Sequence, residues 1–130
     1  MLCEGTGAGQ VYVFTDPSGT GSQWTQQAIL SPNTTVATAA YGFDLAAIEG
    51  TLVVAARGDG SNQAGRVYVY VNSDPLTPAV WELSTVLAAS NGNLNDRFGA
   101  SVAIESSLIL VGASNAGGYS AVGENVCRFC

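Results

Sequence analysis

Short apolar stretches separated by Gly, Ser, Asn and Asp set the rhythm of the chain. Val11-Tyr12-Val13-Phe14 and Val67-Tyr68-Val69-Tyr70 join β-branched to aromatic residues, a pattern that suits strands whose two faces both find packing partners. Leu52-Val53-Val54 and Leu108-Ile109-Leu110-Val111 are continuous apolar runs bounded by turn residues, as in strands buried on both sides. Glu49-Gly50 and Glu105-Ser106-Ser107 precede those runs and read as tight hairpin turns, with Gly50 free to take the positive φ that a short hairpin requires. No segment sustains a helical period or carries helix caps, and the Ala-rich stretch Thr38 to Ala47 comes nearest to a helical composition.

The pattern repeats. A shift of 57 positions lays Tyr41 to Ala56 on Phe98 to Ala113 without a gap, matching Gly42 to Gly99, Ala46 to Ala103, Val54 to Val111 and Ala56 to Ala113. The same shift lays Trp24 on Trp81 and Leu30 on Leu87, while QVYVF at Gln10 matches RVYVY at Arg66 with a shift of 56. Each unit therefore reads as four strands, expected in the complete unit over Gly42 to Ile48, Thr51 to Ala56, Gly65 to Val71 and Trp81 to Leu87. Gly9 to Thr15 and Trp24 to Leu30 are the last two strands of a preceding unit, and Phe98 to Ile104 and Leu108 to Ala113 the first two of a following one. Four antiparallel strands per repeat of this length favour an all-β fold of β-propeller blades over a solenoid, about 2 to 2.3 blades in all. The expected organisation is a partial blade and connection over 1–40, a complete blade over 41–96, half a blade over 97–118 and a divergent tail over 119–130. A sandwich of unrelated strands is the alternative.

Composition narrows the chemistry. Charged residues make up 11% of the 130, with no Lys and no His, and the net charge is −6. Schiff-base and P-loop lysine chemistry, Ser-His-Asp or Cys-His catalysis and histidine-ligated zinc are thereby excluded from this segment. Four cations make no basic surface for a phosphate backbone, so nucleic acid is not an expected partner. The longest apolar run falls far short of the roughly 20 residues of a bilayer helix, so no membrane insertion by this segment is expected. The opening Met-Leu-Cys-Glu-Gly lacks a basic segment and an apolar run, so no signal peptide is expected in this stretch.

With the repeat in place, Phe98-Gly99 followed by Gly112-Ala113 resembles the FG-GAP repeat, which forms blades of the seven-bladed propeller at the head of integrin α chains. FGASVAIESSLILVGA, with GDGSNQAGRVYVY and a Trp in the other unit, is similar to the subclass common in large secreted repeat proteins. The likeness covers Gly9 to about Gly118, with Tyr41-Gly42 for Phe-Gly, Ala55-Ala56-Arg57 for Gly-Ala-Pro and Ser114 for the Pro of the second copy. It implies a non-catalytic binding or adhesion module of an extracellular or cell-surface protein, with loops presented to a protein or glycan ligand or covered by further blades of the same chain. In the family, ligands meet the loops between strands two and three and those leading to the next blade, here Arg57 to Ala64, Ser31 to Ala40, Ala88 to Asp96 and Ser114 to Ala121. An inactive structural fragment of a larger propeller and an accessory propeller of a secreted hydrolase are the alternatives. A kelch-like propeller would place a Gly-Gly before its second strand, whereas Gly117-Gly118 follows it.

Within those loops the ligand-facing candidates are Arg57, Gly58, Asp59 and Asn62. Arg57-Gly58-Asp59 spells the tripeptide that integrins recognise, although Gly and Asp also serve an ordinary turn there. Asn33-Thr34-Thr35 is a candidate N-glycosylation site. Many integrin-type blades hold calcium in an Asp-rich loop between their first two strands, but Glu49-Gly50 and Glu105-Ser106-Ser107 supply too few oxygens, so no metal or cofactor is expected. Cys127 and Cys130 form a C-x-x-C that with Cys3 offers three thiols, short of a four-ligand zinc site. Asp44, Asp59, Asp96, Glu49 and Glu105 lie at turns or strand ends and read as solvated carboxylates, with no pair identifiable for glycoside hydrolysis. The chain is accordingly expected not to be an enzyme. Trp24 and Trp81, at equivalent positions, are expected to pack between blades.

Overall fold

A computed structural model describes residues 7–33, 36–60, 62–74 and 80–117. It contains eight strands: β1 (Val11–Thr15), β2 (Thr25–Leu30), β3 (Tyr41–Ile48), β4 (Thr51–Ala56), β5 (Arg66–Val71), β6 (Glu82–Leu87), β7 (Phe98–Glu105) and β8 (Leu108–Ala113). They form three antiparallel sheets, β1-β2, β3-β4-β5-β6 and β7-β8. The central sheet is a four-stranded blade and the flanking sheets are half-blades, as the repeat anticipates. Residues 119–130, read as a divergent tail, lie outside the described residues.

Alternation along the central strands explains the stacking, because successive side chains leave opposite faces of a sheet. Leu52, Val54 and Ala56, with Tyr68 and Tyr70, bury against Val11, Leu30 and Val13 of the β1-β2 sheet. Val53, Ala55 and Val67 point the other way, onto Val102, Ile104, Ile109 and Val111 of the β7-β8 sheet. A strand apolar on both sides is thus consumed on both sides, and β4 is buried from Leu52 to Ala56.

The β3–β4 and β7–β8 hairpins are two-residue loops. Ile48 pairs with Thr51 around Glu49-Gly50, where Gly50 has φ 71°. Glu105 belongs to β7 and pairs with Leu108, so the second turn is Ser106-Ser107 alone, with Ser106 at φ 49°.

Successive blades are joined through their backbones at equivalent points. The Tyr41 amide donates to the Ala8 carbonyl at 2.8 Å, and the Phe98 amide to the Ala64 carbonyl at 2.7 Å. The residue after each acceptor, Gly9 or Gly65, has positive φ, and a Cβ there would fall on the carbonyl oxygen of Tyr41 or Phe98. Gly42 and Gly99, one step along, sit at φ 85° and 93° where the strand ladder is interrupted. A Cβ on Gly99 would lie 3.2 Å from the Arg66 carbonyl oxygen and 3.3 Å from Val67. The Gly of each aromatic-Gly pair is therefore a seat for the preceding blade. A side-chain strut runs parallel to these contacts: Asp44 on β3 accepts from the Val102 amide of β7 at 2.8 Å.

Gly65→Ala is expected to destabilise the protein by about 2 kcal/mol or more, since backbone must move as well as φ. Gly19→Ala, with φ 65° but open space around it, should cost only about 1 kcal/mol. Urea midpoints of the two variants check the ordering.

Candidate functional site

Four connections meet at one end of the stack: β2 to β3, β4 to β5, β6 to β7 and the segment after β8. Main-chain hydrogen bonds tie them together. Gly58 donates to the Ala39 carbonyl at 3.0 Å, Asn95 to that of Asn62 at 3.1 Å, and Asn115 to that of Asp96 at 3.1 Å. The first and third of these bonds are repeat equivalents, so the same splice holds the loop after the second strand to the entry of its blade. Exposed on this end are Asn62, Gln63, Asn93, Asn95 and Asn115.

The β4–β5 loop is built around a buried carboxylate. Asp59 is fully buried. One of its oxygens accepts from the Gly60 amide at 2.7 Å and the other from the Tyr68 hydroxyl at 2.5 Å. The Gly65 amide closes the loop onto the Asp59 carbonyl at 3.0 Å, and Arg66 brings a guanidinium nitrogen to 3.9 Å from the carboxylate. Among the described residues, no buried side-chain nitrogen or oxygen lacks a hydrogen-bond partner. Burial and, secondarily, the Asp59 hydrogen bond push the Tyr68 phenol up to about 12. Tyr41, edge-on to Tyr68 at 5.3 Å between centroids and donating to the Tyr70 hydroxyl at 2.8 Å, is also pushed up, chiefly by burial.

This geometry divides the ligand-facing candidates. Asn62 is exposed, and Arg57 is part-buried with its guanidinium 3.7 Å from the Phe43 ring centroid, a cation–π contact. Gly58 is wedged where a Cβ would strike the Thr38 carbonyl oxygen, and the Asp59 carboxylate points inward. The Arg-Gly-Asp sequence is a turn whose aspartate is withdrawn from the surface. Asn33 is exposed on the β2–β3 connection, while Thr34 and Thr35 lie outside the described residues, as do Cys3, Cys127 and Cys130.

Two expectations require correction. Asp59 and Asp96 are buried rather than solvated, because each carboxylate caps amides of its own loop; Asp96 takes the Asn93 amide at 2.7 Å. A polar turn residue carries no sequence mark of the direction in which its side chain points. Trp81 packs against the core shared by the central sheet and the β1-β2 sheet, but its equivalent Trp24 is 63% exposed and donates to the Gly21 carbonyl at 3.2 Å. The described residues provide no preceding blade for Trp24 to rest on.

No group of three or more Cys, Asp or Glu side chains converges among the described residues. The oxygen-rich β1–β2 turn is closed upon itself: Asp16 accepts from the Ser18 and Gly21 amides and from the Ser18 hydroxyl, the Ser18 hydroxyl hydrogen-bonds to that of Thr20, and Thr20 in turn to the Ser22 hydroxyl. The Ser18 hydroxyl holds the Asp16 carboxyl below its ordinary value. An open groove of about 480 Å³ runs along Gly7, Ala8, Gly9, Gln10, Tyr12, Ser31 and Pro32.

The model of the FG-GAP repeat matches residues 24–70 and again 81–125. The chain belongs to the FG-GAP repeat family. Both copies begin at a Trp that leads into the outermost strand of one blade and run on into the next. The FG-GAP blade explains the pairing of aromatic-Gly seats with the strands preceding them. The second match runs to residue 125, past the limit near Gly118 expected from the sequence, into residues outside those described. No curated protein matches the chain.

Asp59→Ala is expected to lose about 1 to 3 kcal/mol, leaving the Gly60 amide and the Tyr68 hydroxyl unpartnered. The raised Tyr68 value also fixes an alkaline limit. Its folded value exceeds the unfolded value of 10.0, so its contribution is complete below about pH 10 and is lost as the pH rises toward 12. Thermal midpoints should hold constant up to about pH 10 in this respect and fall beyond it, less steeply in Tyr68→Phe.

Proposed function

We propose that these FG-GAP blades act as a non-catalytic binding or adhesion module of an extracellular or cell-surface protein, meeting a protein or glycan through the loop end described above. The observation that carries this reading is the loop end itself. Backbone hydrogen bonds join loops of consecutive blades, so exposed amide side chains are offered from a braced framework. Asn and Gln both donate and accept, and preorganised loops lose less freedom on binding. The Asp59 carboxylate has no part in recognition here, because it is occupied in holding the loop. Asn62, Asn93 and Asn115 form the proposed contact surface, Arg57 braces it through Phe43, and Asn33 is the proposed glycan acceptor.

A second reading is favoured by a different observation. Tyr12, Phe14, Leu108 and Leu110 are each more than half exposed on the outward faces of the half-blades, which supports a structural segment completed by further blades.

The binding reading is tested by probing the chain against arrays of glycans and immobilised matrix proteins. Asn62→Ala combined with Asn93→Ala should weaken any captured interaction at least about tenfold, equivalent to about 1.4 kcal/mol, while the thermal midpoint, which loses only the exposed bonds of Asn62 to the Ala64 amide and of Asn93 to the Asn91 carbonyl, stays near that of the parent. Equal binding by the double variant, or absence of binding by the parent chain across both arrays, overturns it.

A further inference from the structure

Asn91-Gly92 lies in the connection between β6 and β7, at the loop end. Of the asparagines in the chain, Asn91 alone is followed by glycine. Asparagine is thermolabile, because the backbone nitrogen of the next residue can attack its side-chain carbonyl carbon. A side chain on that next residue hinders the approach, and glycine, without one, also gives the backbone its widest range of conformations.

The structure leaves this pair open to reaction. Asn91 is exposed in a turn, and among the described residues its side-chain amide takes part in no hydrogen bond, while its backbone carbonyl accepts from the Asn93 side chain at 3.0 Å. The Gly92 amide is held by the Ala89 carbonyl at 3.2 Å, the long end of the ordinary range. The connection is seated on the complete blade: Asn95 donates to the Asn62 carbonyl at 3.1 Å, and a Cβ on Gly92 would lie 3.3 Å from that of Ala64. Asn72, by contrast, has its side-chain oxygen fixed by the Asp74 amide at 2.9 Å. The aspartyl counterpart, Asp59-Gly60, is shut, because Asp59 is fully buried and its carboxylate is engaged by the Gly60 amide and the Tyr68 hydroxyl.

We propose that Asn91-Gly92 is a site of spontaneous deamidation and isoaspartate formation, a modification that takes water and no enzyme. The Gly92 nitrogen gives up its proton to solvent and bonds to Asn91 Cγ, while the Cγ–Nδ2 bond breaks and the side-chain nitrogen takes up a proton and leaves as ammonia. Closure is intramolecular, so it requires only that the two atoms meet in the right orientation. Water then opens the cyclic imide at either carbonyl. Cleavage of the new bond between nitrogen and Cγ leaves aspartate. Cleavage of the original bond between the Asn91 carbonyl carbon and the Gly92 nitrogen leaves isoaspartate, whose main chain runs through Cβ and Cγ and is one carbon longer. One water is consumed, one ammonia is released, and nothing is oxidised or reduced.

Either product adds a negative charge to a chain already at −6. The longer backbone of isoaspartate is inserted beneath the bonds from the Gly92 amide to Ala89 and from the Asn93 side chain to Asn91, so the turn that presents Asn93 is remade. The modification alters the face proposed above for binding, although the chemistry does not depend on that reading.

The folded full chain is incubated at mildly alkaline pH, where the attacking nitrogen loses its proton more readily, then denatured and cut with trypsin after Arg66 and Arg97. Peptide 67–97 holds Asn72, Asn91, Asn93 and Asn95 with no internal Lys or Arg. Fragmentation mass spectrometry locates the amide-to-acid mass gain, and an isoaspartyl methyltransferase marks the isomer. Asn91 should convert first, and isoaspartate should lie at Asn91 and not at Asp59. Gly92→Ala should slow the conversion at least about tenfold, a barrier rise of about 1.4 kcal/mol, with its thermal midpoint reporting that the fold persists. Conversion of Asn91 no faster than that of Asn72, Asn93 or Asn95 overturns the proposal. So does a rate in Gly92→Ala equal to the parent's, or isoaspartate at Asp59 in place of Asn91.

Discussion

The fold depends on how closely one blade's backbone approaches the next. At Phe98 the first strand of one unit donates its amide to Ala64 of the unit before, and at Tyr41 the same bond runs to Ala8. Neither bond could form with a side chain on Gly65 or Gly9, so one glycine per repeat sets the spacing of the sheets. Once that spacing is set, Val53, Ala55 and Val67 meet Ile109 and Val111. Hydrophobic burial supplies most of the stabilisation of such a stack, and the glycine seats determine which surfaces it acts upon.

The same joints organise the loop end. Because Gly58 is held to Ala39 and Asn115 to Asp96, the loop after each second strand is pinned to the entry of its own blade. Asp59 and Asp96 then stiffen those loops from within by capping backbone amides. Charge is scarce in this chain, and Asp16, Asp44, Asp59 and Asp96, four of its five aspartates, are spent on architecture. At the loop end the exposed side chains include the amides of Asn62, Gln63, Asn93, Asn95 and Asn115.

Scarcity of charge also bears on the half-blades. Proteins commonly blunt exposed strand edges with Lys, Pro or inward-pointing charge. β1 and β8 carry none of these, and their outward faces keep the aromatic and aliphatic residues that the central blade buries. These surfaces have the character of an interior, whatever finally covers them.

The repeat, the number of strands, their order and their limits to within one or two residues were legible in the sequence, because an apolar run bounded by turns at a constant spacing has few other solutions. The Tyr41-Gly42 and Phe98-Gly99 pairs were legible as repeat marks. Their reason became visible only when a second sheet lay against them. Direction was what the sequence withheld. It placed Asp59 in a turn without revealing that the side chain points inward to Tyr68, and it equated Trp24 with Trp81 although, among the described residues, only Trp81 has a blade beside it. Local periodicity follows from the backbone's own geometry and is written residue by residue. Burial of a particular side chain depends on which sheet arrives opposite, and that is decided only in the assembled stack.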